Sequence, residues 1–306
     1  MIKHNRMTKL PDKGSGLAVA ALLLNALVWG VSWWPFKILE VQGLHPLWAT
    51  AITFILTTCC LSVVRPGAWR TLLQTSALWW LLAASGLTNV CFNWAVTTGD
   101  VVRVVLLFYL MPAWSLLLAW PLLGEKPGAG SLLRLSVALG GVLIVLKTPD
   151  SPWPIPSSPP DWLALLGGFC FASTNVLLRR LEHTPNDGRM LAMFAGSALM
   201  ATGAAWTGLQ MDIVTTLPSP SADWLGLAAA WGLAMLVGNL TLQYGAARLA
   251  AGTTSLIMLT EVVFASLSSV LMGAAELNLR TAIGGAMILL ASLLAAIQPT
   301  GDKSGP

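Results

Sequence analysis

Between residues 16 and 298 the chain is a succession of apolar runs, most of them close to 20 residues long and nearly free of charge. A helix crosses the hydrocarbon core of a bilayer with roughly 20 mostly apolar residues. Only 10% of the residues are Asp, Glu, Lys or Arg, while 56% are apolar, with a mean hydropathy of +0.72. An ordinary soluble domain carries about 25% charged residues. A chain this poor in charge cannot cover a water-facing surface. That excludes soluble enzymes, secreted disulfide scaffolds and DNA-binding domains.

Breaking the sequence at charges, Pro/Gly clusters and polar runs leaves ten segments, roughly 16–36, 46–64, 76–98, 101–122, 131–147, 161–181, 189–209, 222–245, 252–273 and 279–298. The expected fold is an all-α integral membrane protein with ten transmembrane helices. With both termini on one side, that side collects Lys3, Arg6, Lys9, Lys13, Arg65, Arg70, Lys126, Arg134, Arg179, Arg180, Arg189, Arg248 and Lys303. The other side holds only Lys37, Arg103, Lys147 and Arg280. By the positive-inside rule both termini are cytoplasmic. The pI near 9.0 is not a nucleic-acid signal, because basic residues set topology in a membrane protein, and no nucleic-acid partner is expected. The basic N-terminus precedes an apolar run without a small-residue cleavage site and reads as a retained first helix. Cys59, Cys60, Cys91 and Cys170 fall inside apolar runs with no CxxC spacing and read as small buried hydrophobes.

The segment 148–160 carries Pro149, Pro152, Pro154, Pro156, Pro159 and Pro160, the composition of a semi-rigid spacer. It divides the chain into two halves that resemble each other. Placing Leu23–Glu40 over Leu165–Glu182 pairs Lys37 with Arg179, Glu40 with Glu182 and Ser32 with Thr174. Further along, Asn93 falls on Asn239 and Glu125 on Glu276. Five spans per half is odd, so the second half must enter the membrane in the opposite sense. Two inverted-topology five-helix repeats suit a transporter that exposes a central site to alternate sides. The expected organisation is a cytoplasmic tail 1–15, a first repeat 16–147, a periplasmic linker 148–160, a second repeat 161–298 and a cytoplasmic tail 299–306.

The end of the first span, Trp29-Gly30-x-Ser32-Trp33, resembles the EamA-type members of the drug/metabolite transporter superfamily. So does Tyr109-Leu110-Met111-Pro112 followed by Leu123-Gly124-Glu125. Within that superfamily the chain looks most like the YddG-type bacterial exporters of aromatic and other neutral amino acids. It departs from the family pattern at Thr260-Glu261-Val262-Val263, where a proline often follows the glutamate, and at Gly273-Ala274-Ala275-Glu276, where Gly-Glu is usual. The resemblance implies that spans 1–4 and 6–9 surround a central cavity and that spans 5 and 10 are peripheral.

Glu261 stands near the middle of the ninth span with no other acid or base in it. An ionised carboxylate at mid-bilayer costs about 3 kcal/mol on insertion scales. It would bind a substrate ammonium, carry a proton, or serve as a structural acid bonded to a neighbouring helix. Asn89 and Asn93 share one helical face, Asn239 and Gln243 repeat that spacing, and Asn175 follows Thr174. Such amides either line a site for a zwitterion or join helices. Trp29, Tyr109 and Trp114 lie deep in the first and fourth spans, placed to stack on an aromatic or cationic ligand or simply to pack. Trp33, Trp34, Trp69, Trp79, Trp80, Trp153, Trp162, Trp206 and Trp224 sit at span ends, as interfacial belts do.

No span carries a mid-membrane Lys or Arg, which argues against phosphorylated substrates. HExxH, GxSxG and Walker patterns are absent, and the expectation is a protein that is not an enzyme, with no metal and no cofactor. The expected function is export of aromatic and other neutral amino acids, or related metabolites, across a bacterial inner membrane by alternating access, as a monomer with a dimer left open. The other readings are a multidrug exporter of organic cations and, from another class, a non-transporting receptor or scaffold.

Overall fold

The computed structural model describes residues 13–99, 101–146, 156–217, 219–273 and 279–297. Helices make up nearly all of these residues, and no strand occurs among them. In chain order they are α1 (Lys13–Gly30), α2 (Trp33–Val41), α3 (Pro46–Val64), α4 (Gly67–Gln74), α5 (Ser76–Thr98), α6 (Val101–Phe108) and α7 (Met111–Leu123). There follow α8 (Ala129–Leu146), α9 (Pro159–Arg180), α10 (Asn186–Gln210), α11 (Ala222–Ala246), α12 (Ala251–Met258), α13 (Thr260–Leu271) and α14 (Leu279–Ala296). Both tails, most of the linker expected at 148–160, Trp153 and Glu276 lie outside the described residues.

Seven stretches are long and apolar enough to cross a membrane: Ser15–Val41, Pro46–Val64, Val104–Leu123, Pro159–Arg180, Asn186–Gln210, Ala222–Ala246 and Ala251–Leu271. α8 and α14 are apolar along 129–144 and 282–296 but shorter. α5 is 23 residues long, and Asn89, Asn93 and its tryptophans lower its hydropathy. Each of the ten expected segments therefore falls on a helix or a helix pair, seven of them meeting the length and hydropathy of a span.

Three segments expected as single helices are interrupted. The first breaks at Val31–Ser32, the fourth at Tyr109–Leu110 and the ninth at Leu259. Proline explains two of these. Pro35 has no N–H to offer the Val31 carbonyl four residues back, and Trp34 N–H takes that carbonyl instead at 3.2 Å. Pro112 likewise frees the Phe108 carbonyl, and α9 comes against it through Gly168, where a methyl group would lie 2.5 Å from the Phe108 oxygen. At Leu259 no proline is needed. The Thr260 hydroxyl donates to the Ile257 carbonyl at 2.7 Å, and Ser292 of α14 donates to the Leu256 carbonyl at 2.8 Å. Side-chain hydroxyls that bond to backbone in this way compete with the helical ladder.

Packing links the two halves throughout. α5 lies against α9 and α10, α10 also against α3, α1 against α11 and α13, and α7 against α9, while α8 and α14 pair with each other. If the expected spans of one half are exchanged for their counterparts in the other, this pattern maps onto itself. α5 on α9 becomes α11 on α1, α7 on α9 becomes α13 on α1, and the pairs α3 with α10 and α8 with α14 are unchanged. The expected interfacial tryptophans Trp34, Trp69, Trp79, Trp80, Trp162 and Trp206 are exposed. Trp224 is a correction: it is buried, and its ring N–H donates to the Ser219 carbonyl at 3.1 Å.

Candidate functional site

The breaks in α6–α7 and α12–α13 meet at a central cavity holding about 830 Å3 of atom-free space, mouth included. Its lining comes from α1, α3, α5, α6, α9, α10, α11, α12 and α13, with nothing from α8 or α14. This is the arrangement that the family resemblance implies.

Seven aromatic rings line the cavity: Trp29, Phe54, Phe92, Phe108, Tyr109, Phe171 and Phe194. Four of them are in contact, with Phe92 and Phe108 centroids 4.8 Å apart and Phe108 6.0 Å from both Tyr109 and Phe171, and Phe54 and Phe194 form a separate pair at 5.8 Å. Glu261 is the one charged residue in the lining, which holds no Lys or Arg. It stands in the first turn of α13, just past the break, and its carboxyl shares a side-chain hydrogen bond with the Tyr109 hydroxyl. Gly30 lets α1 close on this point. A methyl group there would sit 2.6 Å from Phe264 Cβ and 2.9 Å from the Glu261 carbonyl oxygen.

The amides divide into two sets. Asn89 lines the cavity and donates to Ser197 Oγ at 2.9 Å. Asn239 also lines it, 2.6 Å from the Gln243 amide, which lies behind it outside the lining. Turning the Gln243 amide lets its nitrogen donate to the Asn186 carbonyl at 3.3 Å and its oxygen accept the Met190 N–H at 3.2 Å. The Asn239 Nδ2 donates to the Met193 sulfur at 3.3 Å. Asn93 and Asn175 are outside the lining. Asn93 donates to Thr50 Oγ1 at 2.7 Å, joining α5 to α3, and Asn175 donates to Ser255 Oγ at 3.3 Å, joining α9 to α12. Trp114 is outside as well, edge-on to Phe169 with centroids 5.8 Å apart. Of the nine expected residues, Glu261, Asn239, Asn89, Trp29 and Tyr109 converge on the cavity, while Asn93, Asn175, Trp114 and Gln243 do not.

Asn25 belongs to the cavity and was not expected. It is fully buried, its Nδ2 donates to the Gly238 carbonyl at 2.6 Å, and its Oδ1 has no partner among the described residues. The signal was available, since Asn25 is the polar interruption of an apolar run four residues before Trp29 and so shares its face. Thr174, one residue before Asn175, also lines the cavity. A helix turns about 100° per residue, and Asn175 is turned toward Ser255 of α12 instead.

One end of the bundle is tied by charge. Arg179 at the end of α9 lies 3.8 Å from Glu125, which follows α7, and 2.9 Å from Glu182. The same guanidinium donates to the Ala247 carbonyl at 2.5 Å, and Glu125 Oε2 accepts the Ala251 N–H at 3.1 Å, at the start of α12.

A helical membrane chain whose broken helices converge on a central cavity has the architecture of a transporter, and comparison with known proteins agrees. The EamA-like transporter family matches residues 16–147 and 158–297, and the chain belongs to that family, part of the drug/metabolite transporter superfamily. Comparison with curated proteins gave no match. Among solved structures 28 chains match. One of them, described only as "Crystal structure of protein", superposes with a TM-score of 0.73 at 18% identity, over 94% of this chain and 98% of its own. That likeness shows the fold.

Proposed function

We propose that this protein exports aromatic and other neutral amino acids across a bacterial inner membrane, in the manner of YddG-type exporters. One observation carries the reading: seven aromatic rings surround a single carboxylate, with no basic residue in the lining. An ammonium group would take Glu261 and the Asn25 carbonyl oxygen as acceptors, and the aromatic rings would receive an apolar or aromatic side chain. In this reading the chain has ten spans in two inverted repeats, 16–147 and 161–298, joined by a periplasmic linker at 148–160, with both termini cytoplasmic and the protein monomeric. The self-mapping packing pattern and the Lys/Arg asymmetry support it. Alternating access would close the Arg179–Glu125 end while the other opens.

The test is counterflow of labelled tryptophan, phenylalanine and threonine in proteoliposomes, with and without a pH gradient. Saturable flux competed by unlabelled amino acid is expected. The lack of a basic residue for an α-carboxylate favours a second reading, export of organic cations. Flux of a lipophilic cation that amino acids do not compete would replace the first reading with the second. No substrate-dependent flux of either class would overturn both.

A further inference from the structure

A second pocket lies away from the cavity, between α7, α8 and the start of α12, with about 520 Å3 of atom-free space, mouth included. Glu125, Lys126, Ser131, Arg134 and Thr253 supply its polar lining. Arg134, in the second turn of α8, is only 8% exposed, and its hydrogen bond runs from Nη2 to Ser131 Oγ at 3.0 Å. Its Nε is buried with no partner among the described residues. A guanidinium does not shed its charge, and a buried, charged donor without an acceptor is costly. The site is therefore short of an anion.

Other groups add positive potential. Lys126 is exposed beside Arg134 in the lining. Gly252 and Thr253 stand in the first turn of the eight-residue α12, where backbone N–H groups lack partners within the helix. Glu125 is the opposing charge, but its oxygens face the Ala251 N–H and Arg179. Its charge is answered by those two groups and not by Arg134.

We infer that this pocket binds a phosphate or phosphodiester group through the N–H edge of Arg134, the Lys126 ammonium and the Ser131 hydroxyl. Arg suits this chemistry because its planar fork matches two phosphate oxygens. The surroundings point to a lipid headgroup as the source. Trp120 and Leu122 on α7, and Leu132 and Leu133 on α8, are exposed, and in a membrane-spanning chain such residues face acyl chains. Basic pockets between membrane helices are known sites for anionic headgroups.

The purified full-length protein in detergent is titrated with phosphatidylglycerol, phosphatidylcholine or inorganic phosphate, and its melting temperature is followed. Phosphatidylglycerol is expected to raise it saturably and phosphatidylcholine to do so less. Lys126→Gln should shift half-saturation to about tenfold higher lipid, and Arg134→Gln should abolish the response. A saturable rise with inorganic phosphate alone, lost in the same variants, assigns the site to a soluble phosphate. Equal responses in wild type and both variants, or no response to any probe, overturn the inference. If Arg134→Gln fails to fold, Lys126→Gln decides by the same criterion.

Discussion

Arg179 Nε lies 3.8 Å from Glu125 Oε1, and this contact ties the end of α9 to the segment after α7, across the two halves of the chain. Glu125 in turn accepts the first N–H of α12, so one carboxylate holds a helix terminus and a guanidinium from different helices. Both side chains remain partly exposed, and a pair of this kind contributes little by itself. Its importance lies in position.

Burial pushes the Glu125 carboxyl above the ordinary carboxylate range, against the pull of the Ala251 N–H and Arg179. The folded protein therefore holds this proton more tightly than the unfolded chain. The group's contribution to stability is present at low pH and lost as pH rises through the raised value. Glu125→Gln should flatten melting temperature against pH above the ordinary glutamate range. Identical slopes in the two proteins would remove Glu125 from this role.

At the cavity, Glu261→Gln keeps the shape of the side chain and removes its charge. Amino-acid counterflow should fall about tenfold or more, while Tyr109→Phe, which deletes only the hydroxyl, should cost about two- to tenfold. Initial rates in proteoliposomes measure both. Unchanged rates in Glu261→Gln would exclude the carboxylate from transport.

Close helix contacts make a separate prediction. A methyl group at Gly168 would strike the backbone oxygen of Phe108, which cannot move aside as a flexible side chain could. Gly168→Ala should destabilise by about 1–3 kcal/mol. Gly203→Ala, with nothing within 4 Å of the new methyl, should be neutral or slightly stabilising. Thermal melts of the two variants compare them directly.

Asn175 and Asn89 separate joining from lining. Asn175→Ala should lower stability by roughly 1 kcal/mol with the KM for substrate unchanged. Asn89→Ala should raise KM. A raised KM in Asn175→Ala would show that the site extends beyond the cavity described.

Much of this was legible in the residues. Apolar runs and turn clusters placed every expected span on a helix or helix pair, and Glu261 was visible because an acid in lipid is expensive. The interruption beside it was not, since the residue that usually signals one is missing and Thr260 and Ser292 supply the competing bonds. Asn175 lies outside the lining for a different reason. The pattern locates a polar residue along the chain but fixes its facing only relative to neighbours of known burial, and Thr174, one residue earlier, faces the cavity instead. Gln243 shares a face with Asn239 but stands one turn further along, where it braces Asn239 and does not reach the cavity.

The interrupted helices also bear on how the chain is made. α6, α7, α12 and α13 have 8, 13, 8 and 12 residues, or about 12–20 Å each at 1.5 Å per residue, against a hydrocarbon core of about 30 Å. None can enter a bilayer alone as a stable unit. Each needs its partner segment and the flanking helices that cover its open backbone, α9 on Phe108 and α14 on Leu256. Those covers lie later in the sequence, so the backbone at the two breaks is fully satisfied only once α9 and α14 have packed against it.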